Sequence, residues 1–153
     1  MTQLFTLEPD AVATVRAADK AAVLELLAAR FAAVYALDPA VVLDRIEERE
    51  RLGSTGFGRG VATPHARIPG LDMPIAAFLR LELPVAFDAA DAMPVTLVFG
   101  LLSPEQGGAA HLQALAAISR LMRDERMRNG LEAAPGSEAI YGLLCNVIDR
   151  DAA

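Results

Sequence analysis

The chain contains two histidines, His65 and His111, and both lie beside glycine-rich segments. An imidazole with an ordinary pKa of about 6.5 is neutral and nucleophilic near pH 7. It can attack phosphorus and hold a phosphoryl group through an N–P bond. Such an acceptor needs an exposed ring nitrogen, donors for the phosphoryl oxygens, and a neighbour that steadies the ring or the charge. The work is positioning and electrostatics. The stretch before His65 offers these parts. Arg49 to Leu52 is dense in charge, and Gly53 to Gly60 holds four glycines in eight residues. Val61-Ala62-Thr63-Pro64 then leads into the histidine. Glycine admits positive φ and a close approach of backbone to ligand, and uncovered amides build anion-binding nests. Gly56, Gly58 and the hydroxyls of Ser54 and Thr55 are therefore candidate phosphate donors. Arg49 is a candidate fixed positive charge. His111 falls in the first turn of a helical pattern, where free N–H groups favour an anion.

Other readings of the same residues compete. A histidine after a proline is also an ordinary surface turn residue, and His111 reads equally as a helix-end surface residue. Ser54 and Thr55 serve just as well as loop hydroxyls bonded to their own backbone. The two histidines are far apart in sequence with no local Cys, Asp or Glu ligand pattern, so a zinc site is not expected. Nucleotide loops fail on their own rules. A Walker A loop requires a lysine that is absent here. A dinucleotide fingerprint follows a strand and opens a helix, whereas these glycines follow a helical pattern and precede a strand. Leu52 occupies the first glycine position of a nucleophile elbow.

The elements around these residues follow from periodicity and caps. Ala11 to Arg16 suits a short strand. Asp19 caps a helix over Lys20 to Tyr35, whose Val23, Leu26, Leu27, Phe31 and Val34 recur at helical spacing. Asp38 and Pro39 start a second helix, ended by Gly53. Val61 to Thr63 reads as a strand stopped by Pro64, and Ile68-Pro69-Gly70 as a turn. Ile75 to Leu81, Val85 to Phe87 and Val95 to Leu102 are three apolar segments. The last is nearly continuous and fits a strand covered on both faces. Asp88 to Asp91 is a turn, and Ser103 to Gly108 a polar loop. Helices are expected over Ala109 to Met122, from an Asp124 cap to near Gly130, and from a Ser137 cap through Ile148. Helices before, between and after strands predict a layered α/β domain with a mixed sheet.

The 153 residues predict a single domain over 1–153. With 54% hydrophobic residues and 5% aromatics the core is aliphatic. A net charge of −6 argues against nucleic acid as a partner. The one cysteine, Cys145, fits a reducing, cytoplasmic setting. No signal peptide and no membrane insertion are expected.

Arg49-Glu50-x-x-Gly53-Ser54-Thr55-Gly56-x-Gly58-x-Gly60-Val61-Ala62-x-Pro64-His65 resembles the phosphorylation motif of enzyme IIA proteins of the bacterial phosphoenolpyruvate-dependent phosphotransferase system, of the fructose/mannitol/nitrogen-regulatory type. Leu83 to Ala89 and His111-Leu112-Gln113-x-Leu115 are similar as well. The Gly-Ser-Thr-Gly wording leans toward the free-standing nitrogen-regulatory members. The resemblance implies a three-layer α/β/α fold with a central mixed sheet. It implies His65 as phosphoryl acceptor, His111 as the supporting histidine and Arg49 as the motif arginine, without cofactor or metal. It also implies an HPr-like phosphocarrier as donor, with regulatory target proteins or a IIB domain as onward partners. The expected function is that of a phosphocarrier and regulator with a phosphohistidine intermediate, rather than a turnover enzyme. The alternatives are a sugar-transport IIA component, or a histidine-based hydrolase or metal-binding module. Two positions depart from the family pattern: Ala66 replaces the usual Gly, and Thr63 an aliphatic residue.

Overall fold

A computed structural model describes residues 3–152, of which 149–152 are described by their helical backbone alone. The reading of the N-terminal segment therefore lies partly outside the described residues. In chain order the elements are β1 (Thr6–Val15), α1 (Lys20–Tyr35), α2 (Pro39–Arg51), β2 (Gly56–Gly58), β3 (Val61–Ala62), β4 (His65–Ile68), β5 (Ile75–Val85), β6 (Val95–Pro104), α3 (Gly108–Arg123), α4 (Glu125–Ala133) and α5 (Ser137–Ala152). The strands form one mixed sheet in the order β1-β5-β6-β3-β2, with β4 also paired to β6. β5 runs antiparallel to β6, whereas β3 and β4 run parallel to it.

Alternating side chains divide the core into two layers, as the two-residue period of a strand requires. Ala77, Leu79 and Leu81 of β5 and Val98 and Leu102 of β6 pack with Val23, Leu27 and Phe31 of α1 and Val42 and Ile46 of α2. Ala76, Phe78, Leu97, Phe99 and Leu101 face the other way, onto Ala114, Ile118 and Met122 of α3, Leu131 of α4, and Ile140 and Leu144 of α5. The result is the expected α/β/α sandwich, and β6 is covered on both faces. At Gly100 the helix α1 comes close to the sheet. A Cβ there would stand 2.9 Å from a Leu27 methyl and 3.0 Å from the Phe31 ring.

The caps of α1, α2 and α4 stand where the sequence puts them. Asp19 accepts the Ala22 N–H at 2.9 Å, and Asp38 accepts the Ala40 N–H at 2.9 Å. Several boundaries differ. β1 begins earlier than Ala11, because a register shift between Leu7 and Val12 lets an irregular strand continue its pairing with β5. The segments Ile75–Leu81 and Val85–Phe87 are not separate strands. β5 runs from Ile75 to Val85 and absorbs Pro84 where its pairing with β6 shifts register. Val95–Leu102 extends to Pro104, because β4 prolongs the ladder on that strand. Gly130 lies inside α4, which ends at Ala133. Ala134 is extended, as a residue before proline prefers. Ser137 is the first helical residue of α5 rather than its cap.

Two strands were unforeseen. β2 and β3 make a hairpin whose two central residues, Arg59 (φ 59°) and Gly60 (φ 81°), both have positive φ. That geometry matches the right-handed twist of the flanking strands. β4 resumes on β6 just past β3. Val61 and Ala62 pair with Leu97 and Val98, and His65 to Ile68 pair with Leu101 to Pro104. Thr63 and Pro64 occupy the break, where a residue lacking an N–H does the least damage to the ladder. His65 is the first residue after that break.

Candidate phosphohistidine site

The strand break determines what the His65 ring can do. His65 Nδ1 lies 2.8 Å from the carbonyl oxygen of Thr63. A carbonyl only accepts, so Nδ1 carries the proton and donates it. In the neutral ring Nε2 is then left with its lone pair. Burial, first, and the positive charge of Arg49, next among the effects that lower it, hold the His65 pKa below its ordinary value. The ring is thus neutral at pH 7. It is half-buried, and it lines two open depressions.

His111 stands beside it, with ring centroids 5.5 Å apart and a 48° tilt. It occupies the first turn of α3, which has no side-chain cap. Its Nδ1 lies 2.7 Å from the hydroxyl of Ser103, a fully buried residue near the end of β6. Only 6% of His111 is exposed. Desolvation, then the charges of His65 and Arg67, lower its pKa to about 4. His111 is also neutral at pH 7, and one of its ring nitrogens carries a proton.

The first depression, about 320 Å³, is lined by Arg49, Ser54, Thr55, His65, Ser119 and Arg123, among others. The second includes Arg45, Arg49, Leu52, Arg67 and both histidines. Arginines thus surround His65 in a chain whose net charge is −6. Arg49 is fixed by donating from Nη1 to the Gly53 carbonyl at 2.7 Å. Arg45 bridges the Arg67 carbonyl and Glu105.

The glycine segment is a braced loop. The Gly56 N–H donates to Ser54 Oγ at 3.0 Å, and the Ser54 hydroxyl donates to the Phe87 carbonyl at 2.6 Å. The Thr55 N–H and hydroxyl both turn to the Glu50 carboxylate. The Gly56 carbonyl accepts from the Ala90 N–H at 2.9 Å. A Cβ at Gly56 would meet Ala89 Cβ at 2.9 Å. Glycine is needed here for the close approach of two loops. Gly58 has a φ of 112° and lies against Asp91, which in turn receives the Arg59 N–H.

His65, His111 and Arg49 therefore meet, and Ser54 and Thr55 line the same depression. Sequence reasoning did not single out Glu50, Lys20 or Ser103. Glu50 sits beside Arg49 in the motif but merged there with a run of helix-surface charges. Ser103 carries no local signal, since only the fold brings it to His111. Thr63 contributes its carbonyl to the ring; its hydroxyl reaches toward the Thr55 carbonyl at 3.5 Å. Ala66 lies within β4 and is absent from the residues of positive φ, so its methyl group meets no backbone penalty. Among the described residues no group of three His, Cys, Asp or Glu side chains is placed to hold a metal ion, and no helix is long and apolar enough to cross a membrane.

Comparison with known proteins places the chain among recognised relatives. A family model described as "Phosphoenolpyruvate-dependent sugar phosphotransferase system, EIIA 2" matches residues 6–147. A nitrogen regulatory protein of Bradyrhizobium diazoefficiens is 43% identical over 121 residues, which cover 79% of each chain. A fructose-specific EIIA component of the phosphotransferase system from Haloferax volcanii is 37% identical over 112 residues, 73% of each chain. The crystal structure of nitrogen regulatory protein IIA-Ntr from Neisseria meningitidis superposes with a TM-score of 0.84 at 33% identity, covering 90% of this chain and 95% of that one.

Proposed function

The chain belongs to the EIIA 2 family of the phosphoenolpyruvate-dependent sugar phosphotransferase system, and on that premise we propose that it is a cytoplasmic phosphocarrier and regulator that accepts a phosphoryl group on His65. The donor is an HPr-like protein carrying phosphohistidine. The lone pair of His65 Nε2 attacks phosphorus, the new N–P bond forms, and the donor's N–P bond breaks with its electron pair returning to the donor ring. The proton stays on His65 Nδ1, donated to the Thr63 carbonyl, throughout. Arg49 stabilises the charge on the transferring oxygens, and a His111 N–H donates to one of them. The Ser54 and Thr55 hydroxyls and the Gly56 N–H, expected as phosphate donors, donate instead to the Phe87 carbonyl, the Glu50 carboxylate and Ser54 Oγ. These residues and Gly58 shape the wall beside the phosphoryl group. Leu52, 85% exposed on the rim, offers an apolar contact to the incoming protein.

The observation that carries this reading is the bond from His65 Nδ1 to the Thr63 carbonyl, which leaves Nε2 as the free nucleophile. Phosphorylation adds close to two negative charges at this rim, and that change switches which regulatory targets bind. Incubation with phosphoenolpyruvate and the general phosphotransferase enzymes is expected to label wild type and leave His65→Ala unlabelled. Equal labelling of the two sinks the assignment.

The fructose-specific relative favours a second reading, in which the chain passes its phosphoryl group to a IIB domain for sugar uptake. Loss of sugar uptake on deletion, with transfer to a IIB domain in vitro, selects it. Unchanged uptake with altered regulation selects the first.

A further inference from the structure

Behind the acceptor lies a carboxylate that a phosphoryl site has no evident reason to keep. Glu50, in the last turn of α2, is only 8% exposed, next to a centre that must receive negative charge. Its partners explain it. Lys20, at the start of α1, places Nζ 2.9 Å from Glu50 Oε2 and lies over the Phe87 ring, 4.6 Å from the centroid. The Thr55 N–H lies 3.2 and 3.3 Å from the two Glu50 oxygens, and the Thr55 hydroxyl donates to Oε1. The Thr55 carbonyl then accepts the Thr63 N–H at 3.0 Å. The Thr63 carbonyl accepts from His65 Nδ1. A continuous series of bonds thus runs from the start of α1, through the end of α2, to the ring.

We propose that Glu50 is a positioning residue for His65: by fixing Thr55, and through it the Thr63 carbonyl, it holds the ring in the form with Nδ1 protonated and Nε2 bare. Thr63 lies in a gap in the sheet, where no ladder bond to β6 fixes its carbonyl. Its N–H, bonded to the Thr55 carbonyl, anchors the residue instead. Lys20 has a second consequence. Glu50 and Arg49 are neighbours in sequence, and an unpaired carboxylate would compete for the guanidinium. Lys20 neutralises Glu50 from behind, and Arg49 stays turned to the Gly53 carbonyl and the depression. Buried charges persist when paired and hydrogen-bonded, and this one is both.

The inference rests on His65 as acceptor, yet its main test does not require phosphorylation. The ¹⁵N shifts of the His65 imidazole in unphosphorylated, labelled protein at pH 8 report which nitrogen is protonated. Wild type is expected to show the Nδ1–H form alone. Glu50→Ala is expected to show a mixture of both forms and at least about a tenfold slower labelling from a phosphohistidine donor. Glu50→Gln keeps an acceptor for Thr55 and is expected to stay within about threefold of wild type in rate, with the Nδ1–H form retained. A folded Glu50→Ala protein with an unchanged His65 tautomer overturns the proposal. Should that variant fail to fold, Glu50→Asp decides on the same readings, since its shorter carboxylate keeps Lys20 but withdraws from Thr55. Failure of the function alone would appear as absent labelling in wild type with the tautomer result intact.

Discussion

The two histidines are neighbours in space but are held by different chemistry. His65 sits on a strand and gives its Nδ1 proton to a backbone carbonyl, a group that can only accept. His111 sits on a helix and shares its Nδ1 with a hydroxyl, a group that can donate or accept. The first arrangement imposes one tautomer, as a nucleophile requires. The second admits either form. The form in which Ser103 donates to Nδ1 leaves Nε2–H as the donor that a phosphoryl oxygen requires. In the proposed transfer, attack on phosphorus and stabilisation of the product are divided between a rigid ring and an adaptable one.

Substitution should reveal this division as a graded series. The largest effect belongs to the proposed acceptor, and removal of the His65 ring is expected to abolish labelling altogether. Arg49→Met comes next. Loss of one fixed charge aimed at the transferring oxygens is expected to slow labelling by about 10²-fold. The same variant carries a pH signature. Arg49 lowers the His65 pKa, so its removal raises that pKa. The acidic limb of the labelling rate, where protonation occupies Nε2, moves to higher pH. A limb that stays in place would show that Arg49 acts on the oxygens alone.

Ser103→Ala tests the adaptable half of the pair. Without the hydroxyl, no group donates to His111 Nδ1, and the Nε2–H form loses the bond that supports it. Labelling is expected to slow by about tenfold, the usual scale for removing an outer partner that orients a reacting group. The His65 tautomer should be unaffected. An equal loss of tautomer at both rings would mean that the two are one hydrogen-bonded unit, and the contrast between them would fall.

Stability should show the same pair more faintly. His111 has a folded pKa of about 4 against an ordinary 6.5, chiefly through desolvation. A depressed pKa means that the unfolded chain binds the proton first. The contribution is complete above pH 6.5 and is lost as pH falls toward 4, with a slope of at most about 1.4 kcal/mol per pH unit for one group. Chemical denaturation of wild type and His111→Gln between pH 7 and pH 4 measures it, and the variant is expected to give the flatter profile.

Most of the fold was legible because it rests on repeating signals. The apolar spacing of Lys20 to Tyr35 and the Asp19 and Asp38 caps predicted α1 and the start of α2. The continuous apolar run of β6 predicted a central strand. β2 and β4 escaped, since a strand of three or four residues has too few positions to show an alternation. β4 exists because β6 offers an edge long enough to pair with both β3 and β4, and β2 because the positive-φ turn at Arg59 and Gly60 folds it back onto β3. The candidate site was legible where a residue type itself suggests chemistry, as with His65, His111 and Arg49, which the fold brings together. It was not legible where a common residue acts by placement. Ser103 and Lys20 reach the site through pairings distant in sequence, and the role of Thr63 belongs to its backbone.

Ala66 gives the smallest expected effect, and a direct test of whether the strand side of the pair is as rigid as described. Its family's usual residue is glycine, which raises the question of a strained backbone after the acceptor. Ala66 lies within β4, buried, paired with Leu102, and outside the residues of positive φ. Nothing there asks for glycine's freedom. Ala66→Gly therefore has no strain to relieve. It loosens the residue next to the ring and is expected to cost about 0.5–1 kcal/mol, the penalty for glycine within a regular element. Thermal unfolding would show a Tm lower by a few degrees, with the labelling rate within about twofold of wild type. A rise in Tm would mean that the alanine is tolerated against a backbone preference, and that the break at Thr63 and Pro64, rather than the pairing of β4, sets the geometry of His65.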